Sequence, residues 1–231
     1  MSNKHKLQRF AELSGMSHVF ENQEFEDPHV LDVKGQRLDL KGNWKNNFNN
    51  NNPVVLELAC GKGEYTIALA RSNPSINYIG VDIKGARIWK GATIAIKEHL
   101  TNVAFLRTRI EMISSFFAPA EVSEIWITFP DPFLRDSKSN RRLTSEPFLQ
   151  RYRQILKPGA VLHLKTDDET LFDFSLETIR RQSDFELEES TFDFYGDQNP
   201  DPETTLLTYY ERRHLLAGKK IKYLRAKFLV S

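Results

Sequence analysis

From Pro53 onward, short continuous apolar runs alternate with segments whose apolar residues recur at helical spacing. A short apolar run bounded by turn formers reads as a buried strand, and recurrence at i, i+3 and i+4 reads as an amphipathic helix. On this basis strands are predicted at 53–58, 76–83, 103–107, 124–129 and 160–165, with late strands at 185–189 and 221–229. Helices are predicted at 64–71, 84–99, 145–156 and 169–181, with a short one around 210–216. Asn73–Pro74 stops the first helix, because a residue before proline is driven out of the helical region. Pro158–Gly159 reads as a turn. Alternation of this kind argues an α/β fold, a mostly parallel sheet with helices on both faces.

Residues 1–52 lack that pattern. Lys4, Lys6 and Arg9 give a basic start, and Phe10, Leu13, Val19 and Phe20 are scattered apolar anchors. The asparagine-rich stretch 46–52 reads as a loop or linker. The expected division is an N-terminal extension, 1–52, partly ordered, followed by one domain over 53–231. The extension is either a tail or an arm that orders on a partner.

Composition narrows the setting. The 231 residues are 40% hydrophobic and 27% charged, enough for a normal core. Cys60 is the single cysteine, so no disulfide can form within one chain, which fits a reducing compartment. No apolar stretch follows the basic start, and no run approaches a membrane helix, so a cytoplasmic location is expected, with no membrane partner. The net charge of +1 means that a nucleic-acid binder of this sequence must gather its cations on one face.

Candidate chemistry sits at the predicted strand ends. The first strand closes on Glu57 and runs into Gly61-x-Gly63, where glycines let the backbone turn tightly and approach a ligand. The third glycine of a dinucleotide fingerprint is absent. Asp82 ends the second strand 21 residues after Gly61, the place of an acid that binds ribose hydroxyls. Glu57 would repel a pyrophosphate but attract an ammonium or sulfonium group, and those are the charges of S-adenosylmethionine. The plainer alternatives are a solvated strand end for Glu57 and a helix cap for Asp82. Phe129–Pro130–Asp131–Pro132–Phe133 closes the fourth strand, and its prolines stiffen the turn that carries Asp131. Phe133 offers a face for a base, and Arg135, Lys138, Arg141 and Arg142 make a candidate phosphate-binding loop. The alternative is a solvated basic loop with a structural turn. His99 and His163 have no partner at zinc spacing, so no metal is expected.

Taken in order, Glu57–Leu58–Ala59–Cys60–Gly61–Lys62–Gly63, Gly80–Val81–Asp82–Ile83, Phe129–Pro130–Asp131–Pro132, Arg141–Arg142–Leu143, Leu156–Lys157–Pro158–Gly159, Thr166–Asp167 and Thr208–Tyr209–Tyr210–Glu211 resemble the bacterial tRNA (guanine-N7-)-methyltransferase family over roughly 53–225. The resemblance implies a Rossmann-like class I methyltransferase fold, with a seven-stranded, mostly parallel sheet and an antiparallel last strand. It implies S-adenosylmethionine as donor and tRNA as partner, with N7 of the variable-loop guanine at position 46 as acceptor. It implies that Glu57, Gly61, Asp82 and Arg109 bind the cofactor, and that Asp131 lies beside it as the catalytic acid. It makes Arg135 and Asp167 substrate-binding residues, and places Thr208 and Glu211 in a Thr-x-x-Glu element that helps hold the guanine. Arg141 and Arg142 are the expected tRNA contacts, and a monomer or homodimer is expected. The chain departs from the family at Ala59, where glycine is usual, at Arg109, where Asp or Asn is common, and at Phe133, which replaces tryptophan. Residues 136–140 lack the usual histidine.

Guanine N7 already carries an exposed lone pair, so such an enzyme needs alignment and a carboxylate near the ring more than a general base. Three other classes remain open from the residues themselves. They are a methyltransferase of another acceptor such as an adenine amino group, an RNA-binding relative without turnover, and a nicotinamide dehydrogenase.

Overall fold

The computed structural model describes residues 3–22, 24–32, 34–196 and 208–229. The chain separates into two compact units, Met1–Ala118 and Pro119–Ser231.

The first unit carries α1 (Asn3–Leu13), β1 (Val19–Glu21), β2 (Val30–Leu31), β3 (Arg37–Leu38), α2 (Trp44–Phe48), β4 (Val54–Leu58), α3 (Glu64–Ser72), β5 (Asn77–Asp82), α4 (Gly85–Lys97) and β6 (Val103–Arg107), then a 3-10 turn at Ile110–Ser115. Its strands run in the order β3-β2-β1-β6-β5-β4. The pairs β4–β5, β5–β6 and β6–β1 are parallel, and β2 pairs antiparallel with both β1 and β3. β4 and β5 are buried at every position, which is why they read as unbroken apolar runs rather than alternating ones.

The segment before residue 53 is structured in its described part and belongs to this unit. Leu13, Val19, Phe20, Val30, Leu40 and Trp44 are all core residues. The Trp44 indole stacks on Phe117 at 5.3 Å, meets Phe20 edge-on at 5.4 Å, and donates to the Phe116 carbonyl at 2.9 Å. α1 packs along α4, with Trp89 Nε1 donating to Glu12 at 2.6 Å and Arg107 lying over the Phe10 ring. These strands, of two or three residues each, are too short to show a period in sequence. The asparagine run also has a fixed place. Asn49 closes α2 in the left-handed region (φ 53), and the side-chain amides of Asn50 and Asn77 exchange hydrogen bonds at 3.1 and 2.7 Å.

The second unit carries β7 (Val122–Thr128), a 3-10 turn at Asp136–Arg141, α5 (Glu146–Arg153), β8 (Leu156–Thr166), α6 (Glu169–Arg180), β9 (Phe185–Thr191), α7 (Tyr209–Leu216) and β10 (Lys222–Phe228). Its strand order is β7-β8-β10-β9. β7 and β8 are parallel, and β10 is antiparallel to both β8 and β9. The strand expected at 160–165 is longer. β8 begins at Leu156 and runs through Pro158–Gly159, with Gly159 at φ +77 and an irregular register opposite Val122–Glu124. Strands β4 to β10 number seven, and β1 to β3 from the N-terminal segment raise the described total to ten. This is the Rossmann-like α/β architecture of class I methyltransferases, with a mixed sheet.

Candidate active site

In the first unit the acids expected at strand ends flank one glycine loop. Asp82 is buried, and each of its oxygens receives a backbone N–H: Gly61 N at 2.9 Å on one and Lys84 N at 2.8 Å on the other. The carboxylate therefore ties the β4–α3 loop to the start of α4. Each carboxylate oxygen can accept more than one hydrogen bond, so this pinning is compatible with a ribose hydroxyl. Glu57 is also buried, and its Oε2 accepts from the Thr66 amide at 2.8 Å and the Thr66 hydroxyl at 2.5 Å. Thr66 occupies the place of the missing third glycine. It anchors Glu57 at the N-terminus of α3, where a helix favours negative charge. Cys60, between the two acids, donates its amide to the Val81 carbonyl, and burial followed by the charges of Glu57 and Asp82 pushes its thiol well above the usual range. It stays protonated and takes no nucleophilic part.

Three glycines pack the loop against one ring. A Cβ at Gly63 would lie 2.5 Å from Phe105 Cε1, one at Gly80 would lie 2.8 Å from the same atom, and one at Gly91 would lie 2.7 Å from both Phe105 Cζ and the Lys62 carbonyl. Gly61 and Gly63 also hold φ +56 and +67, a region in which side chains are strained. Ala59 shares it at φ 58, the conformation that makes glycine usual there. Arg109, after β6, has its guanidinium over the Phe25 ring at 4.9 Å and 3.8 Å from Glu111.

In the second unit the turn after β7 is strained at both ends. Phe129 has φ 48 and Phe133 φ 44, unusual for bulky residues. Asp131 is exposed between its prolines. The strain is held from two sides. Phe129 N donates to the Lys165 carbonyl at 2.9 Å, and the Phe129 ring stacks on His214 of α7 at 5.6 Å. Arg142 donates Nε to the Pro132 carbonyl and an Nη to the Phe133 carbonyl, both at 3.1 Å, and lies over Phe174 at 4.4 Å. Arg142 is 3% exposed. The sequence placed it on a phosphate, but the structure encloses its guanidinium beneath the turn. Arg135, Lys138 and Arg141 are exposed, and Arg141 sits over the Phe133 ring at 5.5 Å.

Asp167, directly after β8, is gathered with His214 of α7, with Lys219 and with Lys222 at the start of β10. Its Oδ2 accepts from Lys219 Nζ at 2.5 Å and lies 3.2 Å from His214 Nδ1, while Lys222 Nζ donates to its backbone carbonyl. Thr208 and Glu211 form a capping box at the start of α7, the local structure that a Thr-x-x-Glu spacing encodes. Glu211 has no exposed surface. Its Oε1 accepts from Lys165 Nζ at 2.8 Å and Tyr195 OH at 2.7 Å, and its Oε2 from Thr208 N at 3.3 Å. The carboxylate expected at a base is thus occupied by a buried lysine, a tyrosine and a helix cap. Burial lowers the Lys165 ammonium from its ordinary value even with Glu211 beside it, and it raises the Tyr195 phenol. Sequence reading missed Lys165 and Tyr195. The available signal was a lone cation near the end of an otherwise apolar strand.

The sequence model of a family described as putative methyltransferase matches residues 51–224. A tRNA (guanine-N(7)-)-methyltransferase of Christiangramia forsetii is 45% identical over 229 residues, covering 98% of this chain and 99% of that protein. The chain belongs to the tRNA (guanine-N(7)-)-methyltransferase family. A relative of the same name from Bacteroides thetaiotaomicron is 44% identical over 96% of this chain and 85% of its own length, and one from Brevibacillus brevis is 35% identical over 84% and 89%. Among solved structures, the 16S rRNA methyltransferase KamB aligns with a TM-score of 0.60 at 18% identity, over 84% of this chain and 97% of that one, a likeness of fold. Membership makes the protein an S-adenosylmethionine-dependent methyltransferase. Among the described residues, no helix is long and apolar enough to cross a membrane.

Proposed function

We propose that the protein transfers a methyl group from S-adenosylmethionine to N7 of guanine 46 in the variable loop of tRNA, in the cytoplasm, as a monomer or homodimer. The observation that carries the donor side is the pair of buried acids at neighbouring strand ends, Glu57 and Asp82, set around a glycine loop whose third fingerprint position is Thr66. This donor set suits a cation with ribose hydroxyls and disfavours a pyrophosphate. Asp82 and the Gly61 backbone would hold the ribose, Glu57 would favour the positively charged end, and Arg109 would stand at the base. Bound S-adenosylmethionine supplies a methyl group on a positively charged sulfur.

The remaining chemistry belongs to the chain. Guanine N7 needs no deprotonation. Asp131, exposed on a turn held rigid by Arg142 and Phe129, offers a fixed carboxylate that favours positive charge on the guanine ring. Asp167 accepts from the N1 and N2 hydrogens of the base. Glu211 and Thr208 act one step back, by fixing α7 and with it His214 against Asp167. Arg135 and Arg141 contact the RNA backbone, where they add affinity that falls with salt. Arg142 is a positioning residue. Holding the base in one orientation contributes on the order of 7–11 kcal/mol in well-aligned systems, which is why a strained, braced turn is worth its cost in stability.

The test is nucleoside mass spectrometry of unmodified tRNA incubated with the protein and methyl-labelled S-adenosylmethionine. Label in 7-methylguanosine mapped to position 46 supports the proposal. Label in a methyladenosine, or tRNA bound with no label transferred, overturns it.

A further inference from the structure

One buried charge in the second unit has no part in the chemistry described so far. Lys165 lies on β8, between β7 and β10, and neither it nor its partner Glu211 has any exposed surface. A lysine is almost never fully buried unless it is paired. A buried pair is often no more stable than apolar side chains of the same shape, so stability alone is a poor reason for a lysine here. What the pair supplies is direction. Lys165 Nζ donates to Glu211 Oε1 at 2.8 Å, and Tyr195 OH donates to the same oxygen at 2.7 Å. The ammonium sits over the Phe194 ring, 4.7 Å from its centre.

The contacts around Lys165 close into a ring. Its side chain fastens Glu211, in the first turn of α7. One helical turn further on, on the same side of α7, His214 stacks on Phe129 at 5.6 Å and lies 3.2 Å from Asp167 Oδ2. Phe129 N in turn donates to the Lys165 carbonyl at 2.9 Å. Phe129 opens the strained turn that carries Asp131, and Asp167 follows Lys165 on the chain with only Thr166 between them. One residue thus holds the turn of Asp131 by its backbone and the helix that contacts Asp167 by its side chain.

We propose that Lys165 is a positioning residue for methyl transfer: its ion pair with Glu211 sets α7, and through His214 it fixes how Asp131 and Asp167 face one base. The proposal rests on the reading of those two acids as the groups that meet the guanine. Without the pair, α7 keeps the bond from the backbone amide of residue 211 to Thr208 Oγ1, which needs no carboxylate. Its distance from β8 is then no longer set by a hydrogen bond. A displacement of about 1 Å in a site of this kind costs about 100-fold in rate.

Two variants separate positioning from stability. Lys165→Met keeps the length of the side chain and removes its charge, which leaves Glu211 buried without a cation. Lys165→Met combined with Glu211→Gln removes both charges. The readouts are the thermal midpoint, calorimetry with S-adenosylhomocysteine, filter binding of tRNA, and the single-turnover rate of 7-methylguanosine formation at saturating donor and tRNA, at a temperature where the variants are folded. Both variants should transfer about 10- to 100-fold more slowly than the wild type, with donor and tRNA binding within about threefold of it. The double variant should regain most of the midpoint that Lys165→Met loses, since no buried charge is left unpaired. If Lys165→Met does not fold, the double variant alone decides. A rate that recovers with the midpoint in the double variant, or wild-type transfer by Lys165→Met, makes the pair purely structural and overturns the proposal. Donor or tRNA binding that falls as far as the rate also overturns it. A wild-type protein that forms no 7-methylguanosine overturns the proposed function as well.

Discussion

Adjacent arginines, Arg141 and Arg142, should do opposite things when removed. Arg142 is buried and makes two hydrogen bonds from a charged donor to the carbonyls of Pro132 and Phe133. Bonds of that kind contribute about 1.5–3 kcal/mol each, and the contact with Phe174 at 4.4 Å adds about 0.5–2 kcal/mol. Relief of the desolvated guanidinium, and of strain at Phe133, works the other way. The net expectation for Arg142→Ala is a loss of about 3–4 kcal/mol, near the top of the range for single substitutions. Arg142→Lys should recover part of it, since one ammonium on a flexible stem cannot reproduce a planar fork. Arg141→Ala should leave stability unchanged, weaken tRNA binding and flatten its dependence on salt. Urea unfolding of the three variants, read as the midpoint at constant slope, with filter binding of tRNA at several salt concentrations, makes the comparison. If Arg142→Ala unfolds within about 1 kcal/mol of the wild type, or if it alters the salt slope as Arg141→Ala does, the reasoning about the turn fails.

Two further outcomes follow from the packing. Gly91→Ala would gain up to about 1 kcal/mol of helix propensity, yet its Cβ would meet the Lys62 carbonyl and the Phe105 ring at 2.7 Å. Overpacking costs about 1–3 kcal/mol, so net destabilisation and weaker S-adenosylhomocysteine binding are expected, and a raised thermal midpoint would contradict the close-packed loop. His163 is buried, stacked on Trp126 at 3.8 Å, and flanked by Tyr223 OH, Glu124, Glu189 and Arg225. Burial holds its imidazole below the ordinary 6.5, so the unfolded chain binds the proton more readily. Its stabilising effect is complete above pH 6.5 and is lost as pH falls below that value. His163→Gln should be less stable at neutral pH and should lose less on acidification to pH 5. Parallel stability curves for the two proteins would refute that assignment.

Much of the architecture was legible because fully buried strands and amphipathic helices announce themselves by period. β4, β5 and β6 lie within a residue of their predicted bounds. Glu57 and Asp82 were legible as acids at strand ends, but their local work was not. The sequence does not say that Thr66 fastens Glu57, or that Asp82 bridges two amides. Burial of a charged residue is the harder reading. Arg142 looks like its neighbour Arg141, and only the fold shows that one faces carbonyls and the other solvent. Glu211 is expected at the base through resemblance to the family's Thr-x-x-Glu element, and only the fold shows that the same pair also makes a capping box around a buried carboxylate. The N-terminal segment was least legible, since its short strands take their stability from pairing with β6 and from Trp44 rather than from local pattern.

Under the proposed function, Asp82 binds the donor and Asp131 is needed for transfer. Calorimetry with S-adenosylhomocysteine on Asp82→Ala and Asp131→Ala, paired with a single-turnover methylation assay on tRNA, tests it directly. Asp82→Ala is expected to lose donor binding, whereas Asp131→Ala binds the donor within a few-fold of wild type and transfers no methyl group. Full turnover by Asp131→Ala, or undiminished donor binding by Asp82→Ala, would contradict it.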